Sequence, residues 1–227
     1  AEVRFEGGVI QGNVALEDRG GVFSAGTTEM IDVNVDLNTA EFRGGGIHVD
    51  ANTLEVRGQA PVLGWRSATI NDNRVISSSL TQAGGGLNCA SAASCTLEGV
   101  EMVDNTGGWG GAIHAAGTLS LSDAELSWNS ADAAGSALYL PWLGVATATL
   151  VDVEISSNSG TTWGPVPTVY VGEGTSLSLY LSTVSDNTTE LGKTAAINVH
   201  GTAEVTDSAV FGHQLAVSVG STGAMTC

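Results

Sequence analysis

The sequence predicts an all-β protein, a single-stranded right-handed parallel β-helix of about eight coils, and three observations predict it. A glycine-rich segment recurs along the chain. An apolar residue followed three positions later by Asn recurs between those segments. Within each unit the apolar residues alternate with period two, which is the spacing of strands, and no stretch keeps the period of a helix. Together these features indicate a solenoid.

The glycine-rich segment is predicted to be the first strand of each coil. Its copies end in a small, an apolar, a polar and an apolar residue: GGVFSA (20–25), GGGIHV (44–49), GGGLNC (84–89), GGAIHA (110–115), GSALYL (135–140), VPTVYV (166–171), TAAINV (194–199) and QLAVSV (214–219). Aligned in this way, the polar position forms one outward column: Ser24, His48, Asn88, His114, Tyr139, Tyr170, Asn198 and Ser218. A second outward column holds small residues: Val22, Gly46, Gly86, Ala112, Ala137, Thr168, Ala196 and Ala216.

The Asn landmark predicts a ladder inside one corner of the solenoid. It falls at Asn13, Asn38, Asn73, Asn105, Asn129, Asn158 and Asn187, with His213 in the eighth slot. The intervals are 25, 35, 32, 24, 29, 29 and 26 residues, so each corresponds to one coil of three short strands, with loops inserted into some coils. Stacked amides hydrogen-bond along such a ladder and satisfy turn backbone that is buried. The right-handed coil follows from the handedness of parallel crossovers.

Composition and charge restrict the class of protein. The chain has 227 residues, 31 of them Gly, and we treat 1–227 as one solenoid domain. A net charge of −17 excludes binding to nucleic acid through phosphate neutralisation. All six Arg lie in the first 74 residues, whereas the rest carries 13 acids and one Lys. No apolar run reaches the length of a membrane-spanning helix.

The three Cys suggest an exported protein. Cys89 and Cys95 fall in inward columns of two consecutive strands, so a disulfide inside one coil is expected, with a pair of buried free thiols as the alternative. Cys227 is left over, as a reactive thiol or an intermolecular bond.

The two landmarks resemble the GGA(I/L/V) and FxxN repeats of chlamydial polymorphic outer-membrane proteins. More widely they resemble the pectate-lyase-like right-handed β-helices of bacterial surface proteins. The best copy is GGAIHAAGTLSLSDAELSWN (110–129), while elsewhere Val, Ile, Leu or Met replaces the Phe. The resemblance implies a β-helix and a role in adhesion at a cell surface.

An acidic column is the one arrangement that suggests catalysis or metal binding. Glu101, Glu125 and Glu154 share an outward slot on three successive coils, and Asp123 and Asp152 share the slot two residues earlier. Three interpretations stay open: a solvated column, a Ca²⁺ site, or a catalytic pair. Near-equivalent carboxylates argue against catalysis, because one of the pair must stay protonated. Apart from this Ca²⁺, no cofactor is expected.

A ligand face is expected on the glycine-rich strands, at His48, Asn88, His114, Tyr139 and Tyr170, beside the column of small residues. Ordinary sheet surface is the alternative. Four of the five Trp are expected in loops and the fifth beside a ladder Asn: Trp65, Trp109, Trp142, Trp163 and Trp128. Exposed Trp in loops would add to a recognition surface.

We therefore expect an exported, non-catalytic surface or structural solenoid, with a polysaccharide-degrading enzyme as the alternative. Its partners would be a cell-surface glycan or protein, or other copies of itself. The sequence begins and ends in mid-coil, since Val3, Phe5 and Ile10 align with Leu119, Leu121 and Leu126. Either it is a piece of a longer solenoid, or subunits stack head to tail into a filament.

Overall fold

The chain folds as a parallel β-solenoid of about eight turns. The computed structural model describes residues 1–59, 68–76, 83–142, 144–160, 166–189, 195–213 and 215–227. Every pairing between named strands is parallel, and the described residues form no helix. The fold class predicted from the sequence is confirmed. Within the described ranges there is accordingly no helix long and apolar enough to cross a membrane.

Each complete turn contains four strand positions, one more than the three predicted. The first, the glycine-rich sheet, consists of Val22–Ser24, the start of Ile47–Arg57, the start of Leu87–Glu98, Ile113–Ala115, Leu138–Leu140, Val169–Val171, Ala195–Val199 and Leu215–Val219. The second consists of Glu2–Glu6, Thr27–Ile31, the ends of Ile47–Arg57 and Leu87–Glu98, the first halves of Thr118–Ser127 and Thr147–Ser156, Ser176–Tyr180, Thr202–Thr206 and Ala224–Thr226.

The third and fourth positions flank the Asn corner. The third consists of Val9–Gln11, Asn34–Asp36, Ala68–Thr69, Val100–Val103, the second halves of Thr118–Ser127 and Thr147–Ser156, Thr183–Ser185 and Ala209–Phe211. The fourth, which follows each ladder Asn, consists of Val14–Ala15, Thr39–Ala40, Arg74–Val75, Thr106–Trp109, Ser130–Ala134, Ser159–Gly160 and Thr188–Thr189. Most strands of this position are short and rich in small residues, so their period of two escapes detection in the sequence.

Left-handed residues turn the corners of each coil. The residue immediately before each ladder position has a φ between 53° and 75°: Gly12, Leu37, Asp72, Asp104, Trp128, Ser157, Asp186 and Gly212. Asp123 and Asp152, with φ of 48° and 56°, turn the corner between the second and third positions. Gly and Asp tolerate this region better than most residues. The repeated Asp of the acidic coils is therefore explained by its backbone.

The Asn ladder is formed along the corner between the third and fourth positions. From Asn13 to Asn187, each Nδ2 donates to the Oδ1 of the next Asn at 2.9–3.1 Å. The backbone N–H of each Asn donates to the same oxygen. The last Asn contacts His213 Nε2 at 3.2 Å, as expected for the end of the ladder. Asn38, Asn73, Asn105, Asn129 and Asn158 are fully buried.

Glycine is needed in the glycine-rich segment because the backbones of neighbouring turns lie close together there, and not because it makes a flat outer surface. A Cβ added at Gly111 would lie 2.3 Å from the Ser136 carbonyl oxygen of the next turn, and Gly110 has a φ of 73°. The column of small residues predicted to face outward is instead buried, except for Ala216 in the last turn. Ala112 and Ala137 are fully enclosed, and Gly46 lies against the Asn73 amide. The chain bends just before the first-position strand begins, so inward and outward side chains do not alternate at the small-residue position.

The register of the first turn also differs from the alignment made on the sequence. Phe23, not Ser24, pairs with His48, and Ser24 pairs with Val49. The two glycines of GGVFSA match the second and third glycines of the next copy, as the hydrogen bond from the Gly21 N–H to the Gly46 carbonyl shows. Ser24 therefore points inward, where its hydroxyl contacts Thr28 Oγ1 at 2.8 Å.

A disulfide joins Cys89 to Cys95 across the corner between the first and second positions, as predicted, with the Cα atoms 6.4 Å apart. Both Cys are fully buried. The register against the preceding turn shifts between Cys89 and Ala92, so this corner carries an extra residue. The disulfide thus closes a bulge on one turn.

The first and last turns expose apolar side chains. Val3, Phe5 and Val9 are exposed at one end, and Leu215 and Val219 at the other. In the interior turns the corresponding columns form one continuous core of Val, Ile, Leu and Ala. Head-to-tail assembly through these turns stays a prediction.

Candidate binding face of the glycine-rich sheet

The outward positions of the glycine-rich sheet form a column that we call the outer column. It consists of Phe23, His48, Asn88, His114, Tyr139, Tyr170, Asn198 and Ser218, each paired with the next. Because parallel strands place equivalent residues about 4.8 Å apart, neighbouring side chains are in contact. The five residues predicted as a ligand face therefore lie side by side on successive turns.

Ring contacts hold the middle of the outer column together. The His114 and Tyr139 rings stack with centroids 5.4 Å apart, and Tyr139 stacks on Tyr170 at 5.1 Å. Trp109, from the fourth strand position, packs against Tyr139 with centroids 4.9 Å apart. His200 lies next to Tyr170 at 5.6 Å. The exposed outer side of a sheet is thus covered by aromatic and imidazole rings.

The two predicted His are enclosed rather than freely exposed. His48 is buried and its Nδ1 lies 3.0 Å from Asn88 Nδ2, so this imidazole accepts when its other nitrogen carries the proton. Burial lowers the pKa of His48. For His114, burial and the nearby Arg43 and His48 lower the pKa to about 4, so the ring is neutral at pH 7. Its Nδ1 is shielded from solvent and has no hydrogen-bond partner in the described part of the chain.

A hollow of about 500 Å³ opens over the middle of the outer column. It is lined by Arg43, Ala83, Asn88, Ala90, Ser91, Trp109, His114, Ala116, Tyr139 and Pro141. At one corner, an isolated β-bridge joins Arg43 to Ala83 of the next turn, and a second joins Ala83 to Trp109 of the turn after that. The small side chain of Ala83 therefore leaves a gap between the two large side chains. On the other side, Ala90 and Ser91 come from the bulge that the disulfide closes.

Most residues that line the hollow, Arg43, Trp109, Ala90 and Ser91 among them, are not among the predicted site residues. Trp109 was expected in a loop, but it ends the strand Thr106–Trp109 and is held against Tyr139. The bulge at Ala90–Ser91 carries no repeat signal, and Arg43 shares its position before a glycine-rich segment with Arg19 alone. Only the stacking of turns brings these residues to the outer column.

The acidic column keeps the register predicted for it. Glu101 pairs with Glu125, and Glu125 with Glu154, on the third strand position. Glu125 accepts a hydrogen bond from Ser127 Oγ at 2.7 Å. Within the described ranges, no group of three or more His, Cys, Asp and Glu is placed to hold a metal ion. The calcium interpretation gains no support from this arrangement.

The remaining predicted residues lie apart from the hollow. Trp128, beside the ladder Asn129, is 63% exposed on its left-handed corner, and Trp142 is half exposed in a turn near His200. Trp65 and Trp163 lie outside the described residues. Cys227 is a free, exposed thiol at the opposite end of the chain from the Arg-rich turns.

Comparison of the chain with family models, with curated proteins and with solved structures gives no match. No match therefore supports the resemblance to chlamydial polymorphic outer-membrane proteins or to pectate-lyase-like β-helices, and the structure shows a parallel β-solenoid of about eight turns.

Proposed function

We propose that this protein is an exported, non-catalytic surface solenoid that adheres to carbohydrate through the hollow on its glycine-rich sheet. The observation that carries the proposal is the hollow itself, with an aromatic wall from Trp109 and Tyr139 beside polar groups from Asn88 and His114. Aromatic rings cover the apolar faces of a sugar, while a few fixed polar groups orient its hydroxyls. The volume lies in the usual range for small-ligand sites, about 300–1,000 Å³.

A binding role fits the hollow better than hydrolysis does. Retaining and inverting glycosidases use two carboxylates in different environments. The described residues that line the hollow include no Asp or Glu. The acidic column lies on the third strand position, and its repeated Glu have near-equivalent surroundings. The disulfide supports export, because such bonds persist in oxidising compartments.

The test is binding of the purified protein to an array of oligosaccharides, followed by titration of each hit. Trp109→Ala removes part of the aromatic wall and is expected to weaken binding at least about tenfold. Trp128→Ala, an exposed Trp on another corner, is the matched control and is expected to bind normally. Melting curves of both variants separate loss of binding from loss of fold. An array without hits, or equal losses in the two variants, would contradict the proposal.

A further inference from the structure

The hollow differs in charge from the rest of this strongly acidic molecule. Among the described residues that line it, Arg43 carries the only full charge, because His114 is neutral at pH 7. The groups that shift the pKa of His114 include Arg43 and His48 and, in the described part of the chain, no carboxylate. The hollow is therefore a small positive region on a protein with a net charge of −17.

Arg43 is available to a ligand. Its guanidinium is exposed and forms no ion pair with any residue in the described ranges, whereas Arg4 and Arg57 each pair with a Glu. Arg43 and Trp109 are separated along the corner by Ala83, which places them two turns or roughly 10 Å apart. A sugar ring against Trp109 would thus hold a carboxylate on its far side within reach of the guanidinium.

His114 provides the second polar contact. His114 lines the hollow, and its Nδ1 is shielded from solvent and has no hydrogen-bond partner among the described residues, so contact with a ligand falls to the rest of the ring. A neutral imidazole offers one acceptor and one donor, which suits a hydroxyl group and not a second anion. The wall therefore combines one cationic contact with neutral hydrogen-bonding groups.

The remaining surface disfavours a long polyanion. After residue 74 the chain carries 13 acidic residues against one Lys, and these turns continue the solenoid directly beyond the hollow. A polymer with a charge on every sugar would lie along this acidic surface and be repelled by it.

From these observations we infer that the hollow binds a glycan whose terminal sugar carries a single carboxylate, with Arg43 pairing the carboxylate, Trp109 covering the ring and His114 contacting a hydroxyl. This inference rests on the proposed carbohydrate binding and specifies its ligand class. Carboxylate and guanidinium form charge-assisted hydrogen bonds, which are stronger than neutral ones.

The experiment is isothermal titration of the full chain at pH 7.4 with three probes: 3′-sialyllactose, lactose and polygalacturonate. Lactose lacks only the acidic terminal sugar, and polygalacturonate carries a charge on every sugar. Arg43→Gln tests the cation, and Arg43→Lys tests whether charge alone restores binding. Arg57→Gln is the matched control, since Arg57 lies on the strand that follows Arg43, at the second strand position. Melting curves confirm that each variant is folded.

The expected result is that sialyllactose binds about tenfold more tightly than lactose, the scale of one hydrogen bond to a charged group. Arg43→Gln should remove that difference, Arg43→Lys should restore part of it, and Arg57→Gln should keep it. Equal affinity for lactose and sialyllactose would overturn the inferred ligand class and leave carbohydrate binding intact. Tighter binding of polygalacturonate would also overturn it. Failure of all three probes, together with an empty oligosaccharide array, would remove the proposed function as well.

Discussion

Two columns of side chains run along this solenoid, and they follow different rules. The Asn ladder repeats one residue type over seven turns with hydrogen bonds of 2.9–3.1 Å, and its central members are fully buried. The outer column changes from turn to turn, from Phe23, which is exposed, through His48, which is buried, and His114 to Tyr139. At the Asn corner the same buried groups need the same hydrogen bonds in every turn, so one residue type is kept. A surface under no such demand is free to vary, and variation at a regular spacing is where a binding site can be built.

The largest expected effect compares the same substitution in the two columns. Asn129→Ala removes the oxygen that accepts from both the Asn105 N–H and the Asn105 amide, and leaves Asn158 Oδ1 without its side-chain donor. At about 1–3 kcal/mol for each buried polar group left unpaired, the free energy of unfolding should fall by about 3 kcal/mol or more. Asn88→Ala in the outer column loses one hydrogen bond, to His48, and should cost about 1 kcal/mol.

Urea denaturation of both variants checks this difference. Ser130→Ala, next to the ladder on an adjacent strand, serves as the control and should change stability by less than about 0.5 kcal/mol. If Asn129→Ala and Asn88→Ala were equally mild, the ladder would not be the element that holds the turns together.

The second prediction concerns pH and the outer column. Because the pKa of His114 is about 4 in the folded protein and about 6.5 when unfolded, the unfolded chain binds the proton more readily between these values. The stability conferred by neutral His114 is therefore complete above pH 6.5 and is lost as the pH falls towards 4, by at most about 3 kcal/mol.

His114→Phe keeps a ring against Tyr139 and removes the titration. We expect its stability to depend less on pH between 6.5 and 4 than that of the wild type. Parallel denaturation curves at four pH values would reveal this, and identical slopes for the two proteins would contradict it. Burial also lowers the pKa of His48 and His213, so both proteins retain a common pH dependence from those residues.

The third prediction concerns the disulfide that closes the bulge beside the hollow. Loss of the cross-link in Cys89→Ala/Cys95→Ala should destabilise the protein by about 2 kcal/mol, as expected for closure of a short loop. Because Ala90 and Ser91 line the hollow, the double variant should also bind its glycan more weakly at temperatures where it remains folded. Cys227→Ser should leave melting and binding unchanged. Normal binding by the folded double variant would mean that the bulge does not shape the site.

The smallest effect is expected in the acidic column. Glu125 lies between Glu101 and Glu154 on adjacent strands, where like charges are destabilising by less than about 1 kcal/mol. Glu125→Gln should raise the melting temperature slightly at low ionic strength, and the gain should disappear in high salt. Addition of a chelator should leave the wild-type melt unaltered. A lower melting temperature on chelation would instead restore the calcium interpretation.

The sequence was sufficient for the parts of the fold that repeat without interruption. The alternation of apolar residues with period two predicts the long strands, and the apolar-x-x-Asn spacing predicts the ladder as far as His213. It failed where copies were irregular. GGVFSA has two glycines where the next two copies have three. The sequence alignment therefore matches Ser24 with His48, whereas in the structure Phe23 pairs with His48. The fourth strand position cannot be recognised in the sequence, because most of its strands consist of only two to five small residues without a clear apolar alternation.

The candidate site was predicted in part for a similar reason. His48, Asn88, His114, Tyr139 and Tyr170 occupy one repeat position, so alignment alone brought them together. Arg43, Trp109 and the Ala90–Ser91 bulge lie at or beside corners, outside the repeat position that the other site residues share. Only three-dimensional stacking shows that they enclose one hollow.

The central claim is that the outer column binds a sugar while the Asn ladder only supports the fold. It is tested most directly by ¹⁵N-resolved nuclear magnetic resonance during titration with 3′-sialyllactose. We predict that the Trp109 indole N–H and the Asn88 side-chain amide shift progressively and saturably. The amides of Asn105 and Asn129 and the Trp128 indole should stay in place. Saturable shifts at Trp128 or along the ladder, with none at Trp109 and Asn88, would contradict the account.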